Sequence, residues 1–108
     1  MPKQTVNRGG GRLRERDVTR QIRDYLKLKH IWHFKAWQGP MSLPGISDIL
    51  GIYDGKFMAI EVKAPGAHAT TAQEAFLSSV KDQGGIAFVA WDVDDVVREL
   101  LKYNMGGK

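Results

Sequence analysis

The dipeptide Asp54-Gly55 stands between two apolar runs, ISDILGIY (46–53) and KFMAIEVK (56–63). Asp-Gly suits a two-residue hairpin turn, because both central residues of a type I′ turn need positive φ. With these two residues as the turn, Tyr53 faces Lys56, and the register carried back along the strands sets Asp48 opposite Glu61. Directly opposed residues have Cβ atoms about 4.5–5.5 Å apart. Lys63 is two residues beyond Glu61 and falls on the same face, about 6.5 Å further along the strand. Met58, Ile60 and Val62 point the other way, into the core. Three charges therefore converge at one end of one sheet face.

Two carboxylates opposed across a half-buried sheet are destabilising unless something neutralises them. A divalent cation does so, and carboxylate oxygens are ligands that Mg²⁺ and Mn²⁺ prefer. A lysine beside such a cation can hold an attacking water and stabilise charge on a phosphorane-like transition state. The plainer reading is a Glu61–Lys63 surface salt bridge with Asp48 at a sheet edge, and the E-x-K pattern alone does not separate the two.

Around the hairpin, the spacing of Val18, Ile22, Tyr25 and Leu26 predicts an amphipathic helix from about Leu13 to Lys29. The aromatic, β-branched run IWHFKAW (31–37) predicts a strand. The segment QGPMSLPG, with two prolines and two glycines, breaks regular structure. Thr71 and Glu74 have capping-box spacing and open a helix that runs to about Asp82 and stops at Gly84-Gly85. A buried-type strand follows at 86–91, then a closing helix over DVDDVVRELLKYN (92–104). The order is α-β-β-β-α-β-α. A right-handed crossover makes strands 56–63 and 86–91 parallel neighbours.

One domain is expected over residues 12–104, with a flexible basic segment at 1–11 containing GGG and a flexible tail at 105–108. An apolar share of 43% is ordinary for a folded domain, and zero cysteines exclude disulfides and thiolate metal sites. No apolar run approaches the ~20 residues that span a bilayer, and the first residues carry no apolar signal core. These features predict a soluble cytoplasmic protein.

Charge is unevenly distributed. Residues 1–35 hold ten Lys or Arg against three acids, a net of +7, whereas the remainder nets −3. Such asymmetry predicts a polyanion partner for the N-terminal third. Charge alone leaves nucleic acid and an anionic membrane surface both open, since a basic amphipathic helix suits either. Arg12, Arg14, Arg16, Arg20 and Arg23 alternate with apolar helix positions and are expected to face outward as phosphate contacts. His68, in the loop APGAHAT just past Lys63, is a further candidate phosphate contact. His30 and His33 have no paired acids nearby and are read as structural. Trp32, Trp37 and Trp91 are read as core residues, with base stacking as the alternative. Asp92, Asp94 and Asp95 are explained by capping at a helix start rather than by a metal.

The residues Glu15, GISD ending at Asp48, EVK at 61–63, and Gln73 in TTAQEAFL together resemble a PD-(D/E)xK nuclease, and more narrowly the virus-type replication-repair nuclease (VRR-NUC) domain. The resemblance covers roughly residues 13–101. It implies a restriction-endonuclease-like α/β fold with an αβββαβ core, a mixed central sheet flanked by helices. It implies Mg²⁺ or Mn²⁺ held by Asp48, Glu61 and the backbone carbonyl of Val62, with Glu15 contributing directly or through water. It assigns Lys63 to orienting or activating water and Gln73 to a hydrogen bond near the scissile phosphate or Lys63. The activity implied is structure-selective endonuclease cleavage of DNA, in four-way (Holliday) junctions or flaps, by a homodimer, in a bacterial cell or phage-infected host. The chain departs from the superfamily name at Ser47, where a proline is recorded. Alternatives sharing these residues are a non-catalytic DNA-binding or interaction module on the same fold, and a less structure-selective nuclease.

Overall fold

The computed structural model describes residues 13–104. The expectations for segments 1–11 and 105–108, and for Arg12, lie outside the described residues. Helix α1 (Glu15–Leu28) begins where the Arg14 N–H donates to Asp17 Oδ2 at 3.1 Å, satisfying an otherwise orphaned end group. Its Val18, Ile22 and Leu26 form a fully buried stripe at helical spacing. The helix stops at Lys29, and His30 takes a left-handed conformation (φ 59°) to turn the chain into the sheet.

Four strands follow: β1 (His33–Lys35), β2 (Ile49–Tyr53), β3 (Lys56–Val62) and β4 (Ile86–Ala90). They lie in the order β1-β2-β3-β4, antiparallel except for the parallel β3–β4 pair. Between β3 and β4 runs α2 (Thr71–Asp82), and α3 (Val93–Asn104) closes the chain. Asp54 (φ 53°) and Gly55 (φ 78°) form the turn between β2 and β3, and Tyr53 pairs with Lys56 as the sequence predicts.

Alternation along the strands divides the core in two. Ile49, Met58, Ile60, Val62, Ile86, Phe88 and Ala90 face α1 and α3. Leu50, Ala59 and Ala87 face Leu77 and Val80 of α2. The mixed sheet flanked by helices has the restriction-endonuclease-like arrangement expected.

Three local expectations need correction. The capping box of α2 is Thr70 with Gln73, not Thr71 with Glu74. Thr70 is the residue with extended backbone, and its hydroxyl accepts the Gln73 N–H. Strand β1 covers only 33–35 rather than 31–37, and Trp32 and Trp37 at its ends are exposed by 63% and 64% instead of packing in the core. The cause is coverage: β1 is an edge strand, whereas α2 packs over β3 and β4. Trp32 instead meets Phe34 edge-on at 5.6 Å. Trp91 is half-buried, and its indole N–H donates to the Ala67 carbonyl at 2.7 Å, pinning the loop after β3. The acids at the start of α3 do cap it: Asp92, just before the helix, accepts the Asp95 N–H, and Asp95, in its first turn, accepts the Trp91 N–H.

Candidate active site

Ile49 pairs with Ile60, so the next step of the same register sets Asp48 opposite Glu61. Asp48 immediately precedes β2, and its carbonyl accepts the Ala36 N–H at 2.8 Å, which ties it to the end of β1. Its side chain is held from the other side. Asp48 Oδ2 accepts the Val62 N–H at 2.7 Å, within the range of a charge-assisted hydrogen bond. Asp48 and Glu61 are buried, exposed by only 3% and 1%.

Lys63 lies on the same face, with Nζ 3.8 Å from Glu61 Oε2 and its side chain largely buried. This partial pairing leaves Glu61 Oε1 buried without a hydrogen-bond partner. Burial raises the Glu61 carboxyl to about 8, and the charge and hydrogen bonding of Asp48 push in the same direction against the lowering effect of Lys63. A buried carboxyl beside a second carboxylate keeps its proton unless a cation neutralises the pair.

The open cleft containing these groups has a volume of about 440 Å³. Asp48, Glu61 and Lys63 lie in it together. Glu15 enters from the first turn of α1 and Gln73 from the first turn of α2, while residues of the 38–46 segment form the rim. Burial and the Asp48 charge raise the Glu15 carboxyl, whereas Lys63 and Lys35 lower it. Glu15, Asp48, Glu61, Lys63 and Gln73 are therefore brought together as the spacing and resemblance imply. Gln73 also caps its own helix. Its Oε1 accepts the Thr70 N–H at 2.8 Å, leaving the amide nitrogen as the end able to donate into the cleft.

Among the described residues, no group of three or more His, Cys, Asp and Glu forms a metal site from side chains alone. The donor set still suits Mg²⁺ or Mn²⁺. Mg²⁺ commonly uses one or two carboxylates, keeps several waters, and takes further oxygens from substrate phosphate. Asp48 and the unpartnered Glu61 Oε1 meet that requirement. An extended residue projects its N–H and C=O to the same strand edge. Because the Val62 N–H points to Asp48, the Val62 carbonyl lies on the Asp48 side as well.

The proposed phosphate contacts are less uniform. Arg16 is exposed, and Arg14 and Arg20 reach solvent beside Asp17, 4.0 and 3.4 Å from its carboxylate. Arg23 does not face outward as expected: it is half-buried, with Nε in the interior and no hydrogen-bond partner. It follows buried Ile22 and lies one turn after buried Thr19, at the border of the apolar stripe. His68 is exposed on the loop before α2 and is not among the cleft residues.

The sequence marks 38–45 only as a structure breaker, yet this segment together with Ile46 walls the cleft. Gln38 Nε2 donates to the Ile46 carbonyl at 3.0 Å, closing this loop on itself. Gly45 has φ +73°, and a Cβ there would come within 2.2 Å of the Ala72 carbonyl oxygen on α2. The two glycines and two prolines were the available signal. Lys35, a lone charge within an aromatic run, was another.

The sequence matches no family model and no curated protein. Among solved structures, the chain is similar to one described as a "VRR_NUC domain protein", with a TM-score of 0.72 and 21% identity over 91% of this chain and 93% of that one. The similarity establishes a shared restriction-endonuclease-like α/β fold across nearly the whole domain.

Proposed function

We propose that this chain is a metal-dependent, structure-selective DNA endonuclease that hydrolyses phosphodiester bonds in branched DNA such as four-way junctions or flaps. The observation that carries the reading is the buried Asp48–Glu61 pair, with an unpartnered carboxylate oxygen and Lys63 on the same face of one cleft. The fold is shared with a VRR_NUC domain protein, and the site, rather than the fold, carries the assignment.

In this reading Asp48, Glu61 and the Val62 carbonyl would hold Mg²⁺ or Mn²⁺, with Glu15 assisting through water, and the cation would supply Lewis-acid stabilisation of charge on the phosphate. Lys63 orients the attacking water and stabilises developing negative charge. Gln73 hydrogen-bonds to the phosphate oxygen or to Lys63 from the start of α2. In-line attack leaves a 5′-phosphate and a 3′-hydroxyl. Arg12, Arg14, Arg16 and Arg20 fix the DNA backbone without reading sequence, and His68 adds a contact beyond the cleft.

A homodimer fits paired cuts in a two-fold symmetric junction. Its contact surface is the apolar patch of Phe34 on β1, Ile52 on β2 and its partner Phe57 at the start of β3, exposed by 43–50%. A solution mass near 24 kDa, twice the 12.1 kDa chain, supports this arrangement; a strict monomer opposes it. Among the described residues no helix is long and apolar enough to cross a membrane.

The deciding experiment is cleavage of end-labelled four-way junction, flap and linear duplex with Mg²⁺, Mn²⁺ or EDTA, using Glu61→Ala as control. Metal-dependent cutting of branched substrates that disappears in the variant supports the assignment. Tight binding without cutting of any substrate would instead make the chain a non-catalytic DNA-binding module.

A further inference from the structure

Beside the cleft, packed on its lining residue Gly39, stands an aromatic ring for which the hydrolytic machinery has no use. Trp37 is 64% exposed, and Met41 and Leu43 on the same loop are exposed by 88% and 58%. Isolated apolar residues on a surface are ordinary, but the seating of Trp37 is specific. A Cβ built on Gly39 would come within 1.9 Å of indole Cζ2, and within 2.3 and 2.5 Å of the flanking Cη2 and Cε2. Such near-equal flanking distances put Gly39 over the ring face, since an approach in the ring plane would leave the flanking atoms markedly farther away. One face of the indole is therefore braced against a glycine that admits it only because it lacks a side chain. With 64% of the residue exposed, much of the remaining ring surface faces solvent.

The brace is tied to the site. Gly39 and Leu43 line the same cleft as Asp48, Glu61 and Lys63. The loop is held by Gln38 to the Ile46 carbonyl, by the Ser42 N–H and hydroxyl to the Gly39 carbonyl, and by Gly45 against the α2 backbone. Lys35, two residues before the ring, is exposed and adds positive charge to this side of the entrance. A rigid planar face beside a phosphate cleft matches a nucleobase. In intact duplex both faces of a base are occupied by its neighbours, so only an unpaired or unstacked base presents one for stacking.

Resting on the nuclease reading for the position of the backbone, we infer that Trp37 is a stacking platform for an unpaired nucleobase of the strand whose phosphate enters the Asp48–Glu61–Lys63 cleft. Met41 and Leu43 form the apolar rim around that base. This gives the domain a means of preferring branched or flapped DNA over linear duplex without reading sequence.

The test measures binding of the full chain in EDTA, so that cutting does not intervene. The probes are a single-stranded oligonucleotide and a flap, each with 2-aminopurine at one unpaired position, and a fully paired linear duplex of the same sequence. Trp37→Ala should weaken binding of the two probes with unpaired bases by roughly ten-fold, the range for losing one base–aromatic stack. It should leave linear duplex binding nearly unchanged and abolish the change in 2-aminopurine emission. Trp37→Phe should retain most of the affinity, and Gly39→Ala, which displaces the ring without removing it, should behave like Trp37→Ala. Equal weakening of all three DNAs, or no weakening of any, overturns the inference. So does a fall in solution mass from dimer to monomer in Trp37→Ala, which would assign the ring to a subunit contact. Failure to cut in any metal with the stacking pattern intact would sink the nuclease reading alone; normal cutting without the pattern would sink only the platform.

Discussion

Asp48 Oδ2 accepts the backbone N–H of Val62 at 2.7 Å, so the first carboxylate is anchored to the residue between Glu61 and Lys63. One strand thus supplies a carboxylate and an ammonium, and also locks in place the carboxylate that opposes them. Asp48→Ala leaves the Val62 N–H without its buried partner, which costs about 1–3 kcal/mol. Thermal melting should show this loss, and Asp48→Asn, which keeps an acceptor, should recover much of it. Neither variant should cut DNA.

Glu61 makes the metal-free protein sensitive to pH. The folded carboxyl titrates at about 8, above the ordinary 4.5, so between those values the folded state holds a proton that the unfolded chain releases. Stability in EDTA should therefore fall as pH rises through that window and level off above it. Glu61→Gln should flatten the Glu61 contribution and raise stability near pH 8 by more than about 1 kcal/mol, or roughly 4–8 °C per kcal/mol. Metal binding displaces the same proton, so affinity for Mn²⁺ should rise over the same range. Melting curves with and without Mn²⁺ across pH test both signs together.

Chemistry and DNA holding should separate. Glu61→Ala and Lys63→Ala should reduce cutting to background while affinity for branched DNA in EDTA persists, because the exposed arginines lie on α1 and not in the cleft. Parallel loss of binding and cutting in either variant would refute that division.

Arg14, Arg16 and Arg20 together should contribute to the salt dependence of binding. Each lost phosphate contact on duplex DNA lowers the log–log slope by about 0.9. The triple Ala variant should show a shallower slope and unchanged folding, as exposed pairs with Asp17 contribute little stability. A slope equal to wild type would place the DNA track elsewhere on the surface.

Gly45→Ala should cost at least about 1 kcal/mol, because it combines positive φ with a Cβ directed at the Ala72 carbonyl. Gly66, also at positive φ but with open space around its Cβ position, is the matched control. If Gly66→Ala is mild and Gly45→Ala lowers both melting temperature and cutting, the loop's seat on α2 shapes the cleft.

Legibility in the sequence followed the range of the interactions. The hairpin was readable because Asp54-Gly55 dictates a turn locally, and strand periodicity then carries the register to Asp48 and Glu61. The α1 stripe was readable for the same reason. Exposure of Trp32 and Trp37 was not, because it depends on which strands α2 covers, a relation between segments far apart in the chain. Spacing places Arg23 outward, but it lies at the border of a stripe whose width is set by its packing partners. The capping box was displaced by one residue because adjacent threonines both precede an acceptable partner, and only backbone conformation chooses between them. Glycine and proline mark 38–45 as irregular, but nothing local shows that this segment walls a cleft.

The Asp54-Gly55 turn is distant from the chemistry, yet it decides which side of the sheet receives it. A one-residue slip in pairing sends alternate side chains to opposite faces. It would move Asp48 out of step with Glu61 and set a carboxylate toward the compartment filled by Val18, Ile22 and Val96. Hairpin tips are ordinarily where homologous chains drift in length most freely. Here that freedom is withdrawn, and lineages of this domain should vary at the flanks of the sheet while keeping this tip at two residues.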